Sequence, residues 1–167
     1  IQNNEVKHSS NAVNTAINGT WTTQASGRII FTPTAGTILN DGLYTVTIRP
    51  VDLLGNTVTL AFSFTLDTAQ PTVQTLTMNP TSPHKAESVQ FSVTFNEPMS
   101  TTIDPSVSFV KSSCLLFCTI TPNWTGKSWS NNNKTWNCSH LFSTGTGDGA
   151  YTVNVSGAQD IAGNVMI

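Results

Sequence analysis

Charge is scarce in this sequence. Lysine and arginine number 7 and aspartate and glutamate 9 among 167 residues, 10% in all, where globular domains carry roughly 25%. Arginine occurs only at Arg28 and Arg49, and the formal net charge is −2. The chain therefore offers no basic footprint for a phosphate backbone, and no nucleic-acid partner is expected. Long apolar runs are missing as well. No stretch of about 18 apolar residues is present, so no membrane insertion is expected in this segment. The opening residues IQNNEVKHSS lack an initiator Met, a basic n-region and an apolar h-region. They do not read as a signal peptide, and the expectation is a piece of a longer chain.

Signatures of catalysis are also missing. The sequence holds no G-x-S-x-G, no H-E-x-x-H and no phosphate-cradling glycine loop. Its three histidines, His8, His84 and His140, lie in polar, loop-like contexts, and nearly every Asp occupies a turn position. No enzymatic activity is expected. Cysteine is limited to Cys114, Cys118 and Cys138. One pair at x3 spacing and one cysteine followed by His140 do not make the two close pairs of a zinc ribbon.

What fills the sequence instead is Thr, Ser and Asn, with β-branched and aromatic residues between them. That composition suits pleated sheets and turns, because Thr and Val lose rotamer freedom in helices. The segment TVTLAFSFTL alternates without a break: Val58, Leu60, Phe62, Phe64 and Leu66 fall on one face, and Thr57, Thr59, Ala61, Ser63 and Thr65 on the other. Period 2 of this kind predicts a strand with one face buried and one wet. SVQFSVTF repeats the pattern with Val89, Phe91, Val93 and Phe95 inward. Tyr44, Val46 and Ile48 alternate with Thr45 and Thr47, and Tyr151, Val153 and Val155 with Thr152 and Asn154. Shorter strands are expected at 29–31, 107–110, 116–120 and 135–138. Turn residues separate them, and no window of a dozen residues carries a helical stripe. The fold class is all-β, with strands at the spacing of sandwich domains.

The chain repeats itself at long range. DGLYTVTIRPVDLLGN returns as DGAYTVNVSGAQDIAGN, at an offset of 107 residues from Asp41 to Asp148 and of 108 from Asp52 to Asp160. A period near one hundred residues is one Ig-type sandwich rather than a solenoid repeat. Two modules are expected, 1–68 and 69–167, with the junction at Asp67–Pro71, where Pro71 interrupts ladder pairing. The first module reads as lacking early strands and the second as lacking its final strand. The second also reads as carrying an insertion at about 111–140. Within the repeated phrase, Gly42 and Gly149 supply turns. Tyr44 and Tyr151, at the heads of strands, match a tyrosine corner.

DGLYTVTIRPVDLLGNTVTLAFSFTLDTAQPTV resembles the C-terminal half of the bacterial Ig-like domains that tile adhesins and other surface proteins. Those modules read D-G-x-Y-T-V, then D-x-x-G-N, a final strand and a D-T-x-A-P-T linker; here Gln70 intervenes before the Pro. VQFSVTFNEPMS and GAYTVNVSGAQDIAGN are similar to Ig-like domains of S-layer and secreted bacterial proteins. The resemblance covers about two thirds of the chain. It implies a non-catalytic spacer or stalk, outside the cell or on its surface. The implied partners are neighbouring Ig-like domains of the same chain and host-surface or matrix glycans or proteins. In adhesin arrays, junction Asp residues bind Ca²⁺, which takes six to eight oxygen ligands. The resemblance thus implicates Asp67 and, less directly, Asp52, Asn56, Asp160 and Asn164. The plainer alternative is that these residues make turns without metal.

The stretch Cys114–His140 departs from the family pattern. If its flanking strands pair, Cys118 and Cys138 share the core side, which favours a Cys118–Cys138 disulfide over Cys114–Cys138; closure of CLLFC on itself also remains open. Trp124, Trp129 and Trp136 lie among Asn and Ser, as an exposed patch for sugar rings would. That pattern supports an alternative function as a carbohydrate-binding or accessory domain of a secreted hydrolase. Against it stands Trp136 as core, with Trp124 and Trp129 capping a hairpin edge.

Overall fold

The computed structural model describes residues 4–10, 13–112 and 119–167. The chain is all-β and divides into two compact units, Ile1–Thr68 and Ala69–Ile167. Among the described residues the only helical element is one 3₁₀ turn, Thr144–Thr146. No helix among the described residues is long and apolar enough to cross a membrane.

The first unit contains β1 (Glu5–Ser10), β2 (Val13–Ala16), β3 (Gly19–Thr23), β4 (Ile29–Pro33), β5 (Gly42–Ile48) and β6 (Leu60–Leu66). Four of them form an antiparallel sheet in the order β2-β1-β5-β6, and β3 and β4 form a separate hairpin. Register places Val6 opposite Val46, Val46 opposite Phe62 and Tyr44 opposite Phe64, so these side chains share one face. The buried core is Val6, Tyr44 and Val46, covered by Ile17, Trp21 and Phe31 from the hairpin side and by Ile48 and Leu66.

That cover ends before β6. Val58, Leu60, Phe62 and Phe64 are 53%, 54%, 54% and 46% exposed, which corrects the expectation of a buried face along Thr57–Leu66. The alternation itself is real, but β6 is the outer strand and the hairpin packs over β1 and β5. The strand is also shorter than its pattern, since Thr57 makes only an isolated bridge to Val51.

The second unit contains β7 (Val73–Asn79), β8 (Ser88–Phe95), β9 (Ser106–Lys111), β10 (Thr119–Ile120), β11 (Thr125–Ser130), β12 (Thr135–Leu141) and β13 (Tyr151–Ser156). One sheet runs β11-β12-β8-β7 and the other β10-β9-β13, all neighbours antiparallel. The two sheets enclose a core of Val89, Phe91, Val93 and Phe95 from β8, Val107 and Phe109 from β9, and Trp136 and Cys138 from β12, with Met99 and Ala158. Alternation along β8 turns every second residue into this core. Thr125–Leu141 therefore supplies two strands of the larger sheet, and β12 lies directly beside β8. Much of the segment expected as an insertion at about 111–140 is thus built into this sheet. The Asn131–Asn133 run that interrupts the pattern is a hairpin turn, all three residues at positive φ (53°, 53° and 61°), which Asn tolerates better than most side chains.

Candidate functional site

Each copy of the repeated phrase builds a corner and then a turn. At the corner, the Tyr44 hydroxyl donates to the Asn40 carbonyl at 2.7 Å. Tyr151 donates to the carbonyls of Thr146 at 2.8 Å and Gly147 at 3.0 Å. Both hydroxyls thus tie the head of a strand to backbone four or five residues upstream. Burial pushes the Tyr44 phenol above its usual range, and Asp41 adds to that shift. Gly42 and Gly149 stand at φ +140° and +144°. A Cβ at Gly149 would lie 2.8 Å from Cε of Lys111, a flexible side-chain end that can move aside, so it is the backbone conformation that favours glycine there.

The two Asp-x-x-Gly-Asn turns are nearly superimposable in their bonding. In the first, Asp52 Oδ1 accepts the backbone N–H of Leu54 (2.9 Å) and Asn56 (2.8 Å), while Oδ2 accepts Asn56 Nδ2 at 2.8 Å. In the second, Asp160 Oδ1 accepts Gly163 N–H (2.7 Å) and Asn164 N–H (2.9 Å), while Oδ2 accepts Asn164 Nδ2 at 2.8 Å. The Asp N–H donates to the Asn carbonyl in both turns, at 3.0 and 3.1 Å. Gly55 and Gly163 take φ +89° and +95°. A carboxylate bonded in this way holds its turn without metal. The Asn56 amide and backbone N–H, foremost, hold the Asp52 carboxyl below its ordinary range.

Surroundings separate the two turns. Asp52 and Asn56 are exposed, and among the described residues no group of three metal-ligating side chains includes Asp52. Asp160 is 1% exposed. Met99 bridges to it, and Ser100 N–H donates to the Gln159 carbonyl at 2.8 Å, so the segment after β8 is pinned to this turn. That pinning brings a carboxylate oxygen of Glu97 within 4.8 Å of one of Asp160. Glu97 was not legible as a site residue, because a non-local bridge places it; the only local signal is the acidic Asn-Glu-Pro turn that closes β8. Asp67 follows β6 directly and is half-buried.

Two carboxylates this close can serve one cation together. They fit a hard cation as two of its oxygen ligands, with Asp160 keeping lone-pair capacity beyond its three bonds.

The tryptophans do not form the exposed patch that a sugar would need. Trp136 is fully buried, and Trp124 and Trp129 pack against the same core. Trp124 meets Phe91, Phe109 and Trp136 edge to face, at ring separations of 5.1, 5.6 and 6.0 Å, and its N–H donates to the Val107 carbonyl at 3.2 Å. Trp129 lies opposite Trp136 in register and against Phe95. Of the residues expected to bind a ligand, Trp136 has no exposed face, and Trp124 and Trp129 are half-buried in packing contacts. The Trp136 indole donates to Asp104 Oδ1 at 3.0 Å, and Lys127 Nζ holds Oδ2 of the same carboxylate at 3.0 Å.

Cys138 faces the core as a free thiol, and burial pushes it up to about 12. The expected Cys118–Cys138 pairing involves Cys118, which with Cys114 lies outside the described residues.

Residues 2–68, nearly the whole of the first unit, match the family model of the bacterial Ig-like domain. Comparison with curated proteins and with solved structures found no match.

Proposed function

We propose that the chain is a pair of non-catalytic Ig-like modules of a secreted or surface-anchored bacterial protein, acting as a spacer or stalk. One observation carries this reading. The same corner and turn, bonded in the same way, recur in the unit that matches the bacterial Ig-like family model and in the unit after it. A phrase conserved in bonding rather than in any reactive group serves to close a module, and modules closed alike are what a tandem array needs. Its partners are the neighbouring modules of the same chain. Trp136 is buried in the core and Trp124 and Trp129 are half-buried against it, which supports packing over a glycan-binding role for these rings.

Calcium is the cofactor this reading includes, with Glu97 and Asp160 supplying carboxylate ligands. Thermal unfolding in about 5 mM Ca²⁺ and in EDTA tests it. An extracellular site with Kd on the order of 1 mM stabilises by about 1 kcal/mol at that concentration, which raises Tm by roughly 5 °C. The rise should vanish in Glu97→Gln. No calcium-dependent rise, or one that survives Glu97→Gln, rejects a site at this pair. The spacer role is tested mechanically: pulled end to end, each module should resist and give way in its own event.

A further inference from the structure

β6 is the outer strand of the first unit's sheet, and among the described residues no strand pairs with its free side. Edge strands are commonly guarded by a Lys, a Pro or a bulge. β6 has none of these. Its register with β5 runs from Leu66 opposite Gly42 to Leu60 opposite Ile48 without a shift, and residues 57–66 include no charge and no proline. Its inner face presents the half-exposed row Leu60, Phe62 and Phe64, and Val58, just before the strand, is half-exposed as well.

We propose that this edge pairs with the same edge of a second copy of the chain, antiparallel about a two-fold axis at Phe62. Strict alternation makes the strand its own complement. An axis at Phe62 sets Phe62 against Phe62 and Leu60 against Phe64 on the inner face and, with the strand extended by residues 58 and 59 on pairing, Val58 against Leu66. On the outer face it sets Ala61 against Ser63 and Thr59 against Thr65. Apolar side chains meet apolar ones and small polar ones meet their like, the pairing that stabilises a sheet. Charge does not oppose it, because Asp67, the nearest acid beyond the strand, falls opposite Thr57 of the other copy. Each copy offers this edge once, so association closes as a dimer.

Area sets the strength. A whole aromatic side chain buries roughly 150–250 Å², so four half-exposed apolar side chains leave on the order of 350 Å² per copy. A stable interface needs about 800 Å² per partner. The dimer is therefore weak and concentration-dependent, formed where copies are crowded.

Sedimentation equilibrium of the 167-residue protein from about 10 μM to about 1 mM spans the affinities such an interface gives. Monomer should convert to dimer across this range. Phe62→Lys sets two ammonium groups face to face at the axis and should move the midpoint at least about tenfold upward. Leu53→Lys, in the fully exposed turn that precedes β6 and outside the residues proposed to pair, should leave the midpoint in place. Should Phe62→Lys unfold the first unit by circular dichroism, Thr59→Lys combined with Thr65→Lys decides. It places Lys opposite Lys on the solvent face without entering the core. Monomer throughout the range overturns the proposal. So does a dimer indifferent to the paired lysines, or one weakened equally by Leu53→Lys.

Discussion

Replacing Asp160 with Ala removes the acceptor around which the second turn closes. Three donors lose their partner: Gly163 N–H, Asn164 N–H and the Asn164 side-chain amide. A hydrogen bond to a charged acceptor contributes about 1.5–3 kcal/mol, and a buried donor left without one incurs its desolvation cost. The three do not add, because Gly163 is exposed and regains water as the turn loosens. The net cost should be about 3 kcal/mol, and for a unit of this size a fall in Tm on the order of 15 °C. Asp160→Asn keeps the Oδ1 acceptor and should fall between wild type and Ala. Asp52→Ala removes the same bonds from an exposed turn, where water replaces them, so its effect should be much smaller and confined to the first unit. Calorimetry gives both transitions, and fluorescence of Trp124, Trp129 and Trp136 follows the second unit. If Asp160→Ala lowers Tm no more than Asp52→Ala does, burial is not what distinguishes the two turns, and the reasoning fails.

Asp104→Ala strands the fully buried Trp136 indole without its acceptor and should cost about 2 kcal/mol, seen as a lower urea midpoint. Lys127→Ala should cost only a fraction of that, because its pair with Asp104 is well exposed, with side chains 45% and 38% accessible; equal losses would refute the assignment. The Asp52 carboxyl, held below its ordinary value of 3.8 by the Asn56 and Leu54 donors, stabilises the folded first unit above the unfolded value. That contribution is lost as pH falls through the lower folded one. Tm of the first unit should therefore drop below about pH 3.8, with a shallower slope in Asp52→Asn, and an unchanged slope would remove Asp52 from the account.

Alternation along a strand was readable wherever apolar and polar residues took strict turns. β8 is the clearest instance, with Val89, Phe91, Val93 and Phe95 all in the core. β6 alternates just as strictly, yet Phe62 and Phe64 stand half in solvent. A strand's own pattern says which residues share a face, and the layer opposite decides whether that face is covered. β1 was not readable because EVKHSS shows no alternation; it pairs through its backbone between β2 and β5. The tryptophans read as a polar patch because Asn and Ser flank them in sequence. Only the pairing of β12 with β8 turns Trp136 and Cys138 inward. Glu97 was hidden for a similar reason, since the bridge between Met99 and Asp160 spans some sixty residues.

Single-molecule stretching of Tyr151→Phe beside wild type tests the central claim, that the repeated phrase is architecture that closes each module. At about 3.5 Å per extended residue, unfolding the first unit releases about 240 Å of chain and the second about 350 Å. The wild-type chain should show one event of each length. Tyr151→Phe, which deletes only the hydroxyl that reaches Thr146 and Gly147, should lower the force of the longer event and leave the shorter unchanged. Identical forces in the two proteins, or a shift in both events together, would contradict the account.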